Sequence, residues 1–387
     1  MPFYPDSAIP MRALLAGARR KEQALLELTK RLVEAESPSD LKNAVDECME
    51  MVAAHAKALG GRIKLYRQRA FGNVLEARFG AKSRTGAAGR ILLLGHLDTV
   101  WPLGTLKTMP CRLSEGRLWG PGTFDMKAGV AMALTALEML CEADLLGKEI
   151  VLLLNSDEEV SSPVSRPITE KLAIECGAVF VLEPAQGLAC KTARKGTGNW
   201  RIDVAGRAAH AGVDFEKGAN ALVELARAVQ TVSGWTDLKR GLTVSVGVAG
   251  GGTKLNVVPA EAWAEIDVRI ASKADGPRIE RKFASLKAVD KRCTLTVTGG
   301  INRPPMERLR GTVRLFEKAR ALAAELGFAL DEAATGGASD GNFTAALGVP
   351  TLDGLGAVGE GAHARHESVV VEHLAPRTAL LAGLLAG

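Results

Sequence analysis

Two short runs of aliphatic residues constrain the fold more than any other feature of the chain. Residues 91–94 and 150–154 contain no polar side chain. Runs of this length are far too short to cross a membrane, and they are typical of strands buried on both faces. A third such strand is predicted at 178–182, and a helix of small residues is predicted over 128–141. Strands that alternate with helices predict an α/β layered domain.

The pattern changes after about residue 195. Segments 199–204 and 242–248 alternate like half-exposed strands, with an amphipathic helix predicted over 220–232 between them. Segments 263–270 and 293–297 complete the set of strands, and a charged helix is predicted over 278–287. The order strand–helix–strand–strand–helix–strand predicts a small α+β sandwich. The α/β pattern returns after residue 304. We therefore predict one domain inserted into another, with residues 1–194 and 305–387 forming the first domain and residues 195–304 the inserted one.

Charge and cysteine content exclude several classes of protein. The chain has 49 basic and 44 acidic residues, a net charge of +5, and the two signs are interspersed, so nucleic acid is not expected as the main partner. Segment 1–6 shows no basic region followed by an apolar block. This predicts a cytoplasmic protein without a secretory signal. The six cysteines form no CxxC pair and are predicted to be reduced, mostly buried thiols.

Polar residues follow each of the buried strands. His96 and Asp98 come directly after the first, Glu158 and Glu159 after the second, and Glu183 after the third. Ligands of α/β sheets gather at the carboxyl ends of strands. Positions i and i+2 of an extended segment face the same side, so Asp98 can accept a hydrogen bond from a metal-bound imidazole of His96.

Two further segments carry candidate ligands. Asp125 lies in a glycine-rich turn before the small-residue helix, and His363 and His366 lie near the C-terminus. Each candidate alone has an ordinary alternative, such as a surface histidine, a helix cap or a solvated acidic turn. Together, two imidazoles and three carboxylates suit Zn²⁺, and also Co²⁺ or Mn²⁺. These five ligands are more than one tetrahedral zinc ion binds. A two-metal site with one bridging carboxylate would use all five.

The ordered set of motifs resembles the M20 metallopeptidase family, close to its glutamate carboxypeptidase branch. The resemblance runs from about residue 20 to the C-terminus, and the matching segments are 95–100, 120–127, 157–159, 182–184 and 336–340. It implies a mixed-sheet α/β catalytic domain that binds two divalent ions, with zinc the first choice and cobalt or manganese as alternatives. It also implies that the inserted α+β domain is a lid through which the chain forms a homodimer.

The resemblance assigns five metal ligands, which are His96, Asp125, Glu159, Glu183 and His363. Asp125 would bridge the two ions. His96 and Glu183 would complete the coordination of one ion, and Glu159 and His363 would complete that of the other.

Two neighbouring residues complete the implied centre. Asp98 would orient His96, and Glu158 would be the general base. His363 is preferred to His366 because the last histidine of the family is followed by an acidic residue, here Glu367. His366 stays an alternative.

The inserted domain carries the implied substrate contacts. His210 matches a histidine that reaches into the active site of the partner subunit and donates to the developing oxyanion. Asn256 matches a substrate-binding position. Arg303 matches an arginine that grips a substrate carboxylate, which suits a planar guanidinium. A hinge arginine at the surface is the alternative for Arg303, and Arg269 is a second candidate for the carboxylate.

The resulting prediction is a hydrolase that cleaves an amide or peptide bond next to a free carboxylate in an N-acyl amino acid or short peptide. A glutamate carboxypeptidase-like exopeptidase comes first. The alternative is an N-acyl-amino-acid deacylase, similar to acetylornithine deacetylase or succinyl-diaminopimelate desuccinylase. A non-catalytic binding protein on the same fold is the minor alternative. No membrane or nucleic-acid partner is predicted.

Overall fold

The computed structural model describes residues 10–82 and 85–386. These residues divide into two compact units. Arg194–Glu307 and Thr335–Ala338 form the second unit, and the other described residues form the first. Segment 1–6, on which the predicted absence of a secretory signal rests, lies outside the described residues, so the cytoplasmic location stays a prediction. Among the described helices, none has both the length and the apolar character needed to span a bilayer.

The secondary structure comprises helices and strands in both units. The helices in the described residues are α1 (Met11–Glu34), α2 (Lys42–Ala58), α3 (Ala128–Glu142), α4 (Arg166–Ala173), α5 (Ala221–Ser233), α6 (Asp275–Ala284), α7 (Arg310–Glu325), α8 (Gly341–Ala346) and α9 (Leu374–Ala386). The strands are β1 (Arg62–Tyr66), β2 (Val74–Phe79), β3 (Arg90–His96), β4 (Arg112–Ser114), β5 (Arg117–Trp119), β6 (Glu149–Asn155), β7 (Ala178–Val181), β8 (Cys190–Arg194), β9 (Gly196–Ala205), β10 (Thr243–Gly251), β11 (Glu261–Ile270), β12 (Thr294–Arg303), β13 (Glu332–Thr335), β14 (Thr351–Leu352), β15 (Gly359–Glu360) and β16 (Ser368–Val370).

The first unit is built on a six-stranded mixed sheet with the order β1-β2-β6-β3-β7-β14. Strands β6, β3, β7 and β14 run parallel to one another, while β1, β2 and β6 pair antiparallel. The two aliphatic runs lie in β3 and β6, in the middle of the sheet, and every residue of β6 is buried. The mixed α/β architecture predicted from these runs is confirmed.

Helices cover both faces of this sheet. Leu93 of β3 and Leu152 of β6 belong to one hydrophobic core with residues of α1, α3, α7 and α9. Their neighbours Leu92 and Val151 point to the opposite face and pack with Leu172 of α4. The alternation of side chains along each strand therefore gives this unit three layers.

Three strands of the sheet end side by side. His96, the last residue of β3, pairs with Asn155 at the end of β6, and β7 ends at Val181 next to β3. Helix α3 comes very close to this edge, since a Cβ added to Gly129 would lie 2.2 Å from the carbonyl oxygen of Leu182. Only glycine permits this approach. The segments that follow β3, β6 and β7 therefore lie close together at this edge of the sheet.

A smaller antiparallel sheet links the C-terminal part of the chain to the middle of the sequence. Its order is β15-β16-β5-β4, and Ser368 of β16 pairs with Trp119 of β5. The loop between β15 and β16 carries His363, and the segment after β5 carries Asp125. The sequence patterns do not predict this sheet, because strands of two or three residues have no measurable alternation.

The second unit is an antiparallel sheet with the order β10-β11-β9-β12, packed against helices α5 and α6. Its element order along the chain is the predicted strand–helix–strand–strand–helix–strand. Trp200 of β9 stacks on Phe283 of α6 with ring centroids 4.4 Å apart. The unit therefore has a hydrophobic core of its own.

The six cysteines are all free, and four of them are buried. They agree with the reduced, mostly buried thiols predicted from the sequence.

Candidate metal centre

The end of strand β3 presents a buried imidazole. His96 is 1% exposed, and its Nδ1 lies 3.0 Å from the backbone carbonyl oxygen of Asp98 and 3.5 Å from the Asp98 carboxylate. In the neutral imidazole, which is the form that binds a cation, an Nδ1–H that donates to this carbonyl leaves the lone pair on Nε2. The Nε2 atom lies 3.3 Å from Asp125 Oδ1 and 3.7 Å from Glu183 Oε1. The Nε2 atom of His96 and the carboxylates of Asp125 and Glu183 therefore lie close enough together to face one another.

The second imidazole faces the same aspartate from the other side. His363 Nε2 lies 3.4 Å from Asp125 Oδ2 and 3.2 Å from Glu159 Oε2. The two oxygens of Asp125 thus face different histidines, Oδ1 towards His96 and Oδ2 towards His363. This is the arrangement expected of a carboxylate that bridges two ions.

The acidic turn after β6 is held by Asp98. The backbone N–H groups of Glu158 and Glu159 each donate to the Asp98 carboxylate over 3.1 Å, and the Ser39 hydroxyl donates to it over 2.7 Å. Asp98 is fully buried, so these three bonds satisfy its charge. Asp98 therefore fixes the turn that carries Glu158 and Glu159, besides contacting His96.

The donor atoms are close enough to hold cations. One atom from each of His96, Asp125 and Glu159 lies within 4.8 Å of the others, and the same holds for His96, Glu158 and Glu183. Within the described residues, Nε2 of His96, Oδ1 of Asp125 and Oε1 of Glu159 are buried without a hydrogen bond. Buried polar atoms ordinarily have partners, and imidazole with carboxylate is a donor set for zinc-like ions. The cluster therefore fits divalent metal.

The charges of the cluster perturb its pKa values. Burial alone would lower the pKa of His96, but the carboxylates around it, Asp125 first, raise it well above its ordinary value. Hydrogen bonding to Asp125 and Glu159 raises the pKa of His363 to about 10. Burial would raise the pKa of Asp125, yet the two imidazoles hold it below its usual range. Protons on the imidazoles thus offset the carboxylate charge that a cation would otherwise neutralise.

Glu367 holds the loop that carries Asp125. Its fully buried carboxylate accepts hydrogen bonds from the backbone N–H groups of Gly122, Phe124 and Asp125 over 2.8, 2.9 and 3.0 Å, and from the Trp101 indole over 2.7 Å. The sequence analysis used Glu367 only as a marker for the last histidine. Four bonds from distant segments leave no local sequence pattern, so this role was missed.

Of the two C-terminal histidines, His363 belongs to the cluster and His366 does not. His363 contacts Asp125 and Glu159, whereas His366 is exposed and makes no such contact within the described residues.

The backbone at Asp125 has one special feature, since the peptide bond between Asp125 and Met126 is cis.

Segment 337–341 reads Gly-Ala-Ser-Asp-Gly, which is the spacing of a serine-hydrolase nucleophile elbow. Ser339 is fully buried, and its hydroxyl donates to Asp353 over 2.6 Å. An activated serine needs an adjacent general base, usually histidine. In the part of the chain that the structure describes, the hydrogen-bond partners of Ser339 are Asn342, Asp353 and Gly341, and no histidine is among them.

The four other predicted site residues belong to the second unit. His210 is exposed, and its Nδ1 accepts the backbone N–H of Gly212 over 3.1 Å, which places the ring proton of the neutral imidazole on Nε2. The backbone of Asn256 accepts a hydrogen bond from Ala211. The structure therefore places the segments of His210 and Asn256 next to each other.

The two arginine candidates have different surroundings. The Arg269 guanidinium, on β11, donates to the Asp267 carboxylate over 2.8 Å. Arg303 is the last residue of β12 and is 7% exposed, so it is a buried side chain and not the surface arginine that was the alternative.

Comparison with known proteins supplies independent information. The model of peptidase family M20/M25/M40 matches residues 92–387. The chain is 29% identical to carboxypeptidase G2 of Pseudomonas sp. (strain RS-16) over 380 residues, which is 96% of this chain and 91% of that protein. It is also 29% identical to the succinyl-diaminopimelate desuccinylase of Stenotrophomonas maltophilia (strain R551-3) over 307 residues, 73% of this chain and 80% of that enzyme.

Solved structures share the fold. The crystal structure of the aminopeptidase PepT from Bacillus cereus ATCC 10987 matches with a TM-score of 0.80 and 21% identity, and the match covers 94% of this chain and 98% of PepT. At this identity the likeness shows a common fold.

Proposed function

The chain belongs to peptidase family M20/M25/M40, and from this premise we propose that it is a two-metal hydrolase that cleaves an amide or peptide bond next to a free carboxylate. The proposal places it with glutamate carboxypeptidases, as its similarity to carboxypeptidase G2 over 96% of the chain suggests. The observation that carries it is the position of Asp125, whose two carboxylate oxygens face the imidazoles of His96 and His363.

Five residues would hold the ions. His96 and Glu183 would bind one ion and His363 and Glu159 the other, with Asp125 shared between them. Two divalent ions so held would lower the pKa of a water molecule and would polarise the scissile carbonyl group. Zinc is the first choice for this mixture of imidazole and carboxylate, with cobalt and manganese as alternatives.

Glu158 is proposed as the general base. It is 8% exposed, and one of its carboxylate oxygens lies within 4.8 Å of donor atoms of His96 and Glu183. The hydrogen bond from its backbone N–H to Asp98 fixes the start of the turn. Its carboxylate would take a proton from the attacking water and pass it to the leaving nitrogen, a role worth about 10²–10⁴ in rate.

The second unit would supply the donor to the oxyanion. His210 carries its proton on Nε2 because Nδ1 accepts from Gly212. We propose that Nε2–H donates to the oxyanion formed in the active site of the partner subunit. Donors of this kind contribute about 10²–10³ in turnover. Arg303, helped by Asn256, is proposed to hold the substrate carboxylate.

A homodimer formed through the second unit is part of the proposal. Large apolar side chains near the His210 and Asn256 segments are exposed, among them Val213 at 71%, Phe215 at 63% and Leu255 at 104%. Strand β10 is an edge strand of its sheet. Exposed apolar groups and an open strand edge together favour association with another protein surface, and a second copy of this chain is the partner proposed.

An N-acyl-amino-acid deacylase is the second candidate. The 29% identity to a succinyl-diaminopimelate desuccinylase favours it, and the same cluster would serve that reaction. A non-catalytic binding protein is disfavoured, because the chain has a residue of suitable chemistry at the proposed base and at each of the five proposed ligand positions.

Activity against a defined panel tests the proposal. The purified protein is incubated with Zn²⁺, Co²⁺ or Mn²⁺ and with dipeptides ending in glutamate, N-acetyl amino acids and N-succinyl amino acids. The carboxypeptidase proposal expects release of glutamate that EDTA abolishes. Preferred cleavage of acetyl or succinyl groups from basic amino acids would identify a deacylase. Hydrolysis that survives EDTA would contradict a metal mechanism.

A further inference from the structure

The acidic turn at 156–162, which follows strand β6, has an unusual backbone at its end. It carries the proposed base Glu158 and the proposed ligand Glu159. Its last two residues, Ser161 and Ser162, have φ angles of 76° and 56°. Residues other than glycine rarely adopt this left-handed conformation, because their Cβ comes too close to the backbone. Strained backbone persists only where surrounding contacts hold it, so the contacts of this turn decide where Glu158 lies.

One buried carboxylate binds both ends of the turn. Asp340 is 3% exposed, and one of its oxygens accepts a hydrogen bond from the side-chain amide of Asn155 over 2.6 Å. Its other oxygen accepts the hydroxyl of Ser162. Asn155 is the last residue of β6, directly before the turn, and both Asn155 and Ser162 are fully buried. Asp340 therefore joins the residue before the turn to the residue that ends it.

The backbone around Glu158 depends on the position of Ser162. The N–H of Ser162 donates to the carbonyl oxygen of Asp157 over 2.8 Å, and the N–H of Ser161 donates to that of Glu158 over 3.0 Å. Asp98 fixes the middle of the turn through the N–H groups at 158 and 159. Release of Ser162 would therefore free the backbone on the C-terminal side of Glu158.

Asp340 comes from a distant part of the chain. It is 185 positions from Asn155 and 178 from Ser162, and it ends segment 336–340, which has no place in the mechanism proposed above. Its neighbour Ser339 is fully buried, and the Ser339 hydroxyl donates to Asp353 over 2.6 Å. The backbone next to Asp340 is thus anchored independently of the turn that Asp340 binds.

We propose that Asp340 is a positioning residue for the general base. By binding Asn155 and Ser162, it holds the strained turn in the conformation that keeps the Glu158 carboxylate beside the metal ligands. The proposal rests on the function proposed above, in which Glu158 takes a proton from the attacking water. A general base has to lie within hydrogen-bond reach of that proton, and a misplacement of about 1 Å can lower a rate about 10²-fold.

Kinetics of the metal-loaded, full-length protein test the proposal. Ser162→Ala removes only the hydroxyl that Asp340 binds, and Asp340→Ala removes the carboxylate. Each variant should lower kcat about tenfold or more, while KM and the content of metal ions stay unchanged at saturating metal. Normal kcat in Ser162→Ala would overturn the proposal, and this variant decides alone if Asp340→Ala does not fold.

Thr344→Val is the matched control. It also removes a buried hydroxyl from the first unit, one on helix α8 that bonds Gly341 and Thr351. The loss of these bonds should lower the melting temperature but leave kcat unchanged. A loss of kcat in Thr344→Val as large as in Ser162→Ala would show a general effect of destabilisation and would overturn the proposal.

A double-mutant cycle shows whether the effect passes through Glu158. The Glu158→Gln variant has no base to misplace, so adding Ser162→Ala should lower its residual kcat about twofold at most. A purely structural role of the Asp340 contact would lower kcat by the same factor with or without the base. Equal factors in the wild-type and Glu158→Gln backgrounds would therefore contradict the proposal.

Hydrogen exchange separates failure of this proposal from failure of the proposed function, because it needs no substrate. The backbone N–H groups at 158–162 should exchange about tenfold faster or more in Ser162→Ala and Asp340→Ala than in the wild-type protein and Thr344→Val. This result supports the role of Asp340 in holding the turn even if no substrate is hydrolysed. Equal exchange in all four proteins refutes it even if the wild-type protein releases glutamate.

Discussion

The buried carboxylate of Glu367 accepts the backbone N–H of Asp125 over 3.0 Å. The two residues are 242 positions apart, and Glu367 comes four residues after His363. One segment therefore supplies an imidazole to the cluster and also positions the carboxylate that this imidazole faces.

Glu367→Gln should weaken metal binding. The amide keeps the size of the side chain, but its NH₂ group has to face an N–H donor, so at least one of the four hydrogen bonds is lost. Residues that support metal ligands in this way are worth about 10- to 100-fold in metal affinity. A Co²⁺ titration followed by absorbance measures the effect. Glu360→Gln, on an exposed residue of the same segment, is the control, and equal affinities in the two variants would contradict the role of Glu367.

Glu158→Gln should lower kcat by about 10²–10⁴ while both ions stay bound, because the amide cannot accept the proton of the water. Metal content by mass spectrometry and turnover of the best substrate are measured on the same sample. Glu159→Gln provides the contrast, since loss of a proposed ligand should reduce metal content as well. Near-normal turnover in Glu158→Gln would show that the base has been assigned wrongly.

Metal binding should release protons and should strengthen as pH rises. The carboxylates raise the pKa of His363 to about 10 in the metal-free cluster, above its ordinary value near 6.5. Between these two values the folded protein holds a proton on His363 that an incoming cation must displace. Calorimetry at pH 7.5 in buffers of different ionisation enthalpy should show proton release. An apparent affinity that is constant from pH 6 to pH 8.5 would contradict this expectation.

Charge on the exposed apolar surface of the second unit should dissociate the proposed dimer. Leu255→Asp combined with Phe215→Asp is expected to give a monomer that binds metal normally but turns over poorly, because His210 would no longer reach a partner. Light scattering gives the mass and metal analysis the occupancy. Ile174→Asp, on an exposed residue of the first unit, should stay dimeric. A fully active monomer would rule out a role for the dimer.

The strands of the central sheet were predictable because burial on both faces produces unbroken aliphatic runs, as in β3 and β6. The alternating strands of the second unit were also found, but their ends were not. Strand β12 was predicted over 293–297 and runs to Arg303. Gly299 and Gly300 interrupt its alternation, although the backbone pairing with β9 continues through them.

Most side chains of the candidate cluster could be proposed from the sequence because they follow a buried strand or, for Asp125, lie in a glycine-rich turn, whereas the choice of His363 came from the family resemblance. The supporting contacts could not be proposed in this way. Asp98 binds backbone N–H groups of the turn at 158–159, and Glu367 binds those at 122–125. A hydrogen bond to a backbone N–H places no demand on the identity of the donor residue, so such contacts leave no sequence signature.

Anomalous diffraction from crystals of the zinc-loaded protein tests the central claim most directly. The account predicts two peaks per chain, one bonded to His96 and Glu183 and the other to His363 and Glu159, with one oxygen of Asp125 bonded to each. A single peak, or two peaks of which either lies out of bonding distance of Asp125, would contradict it.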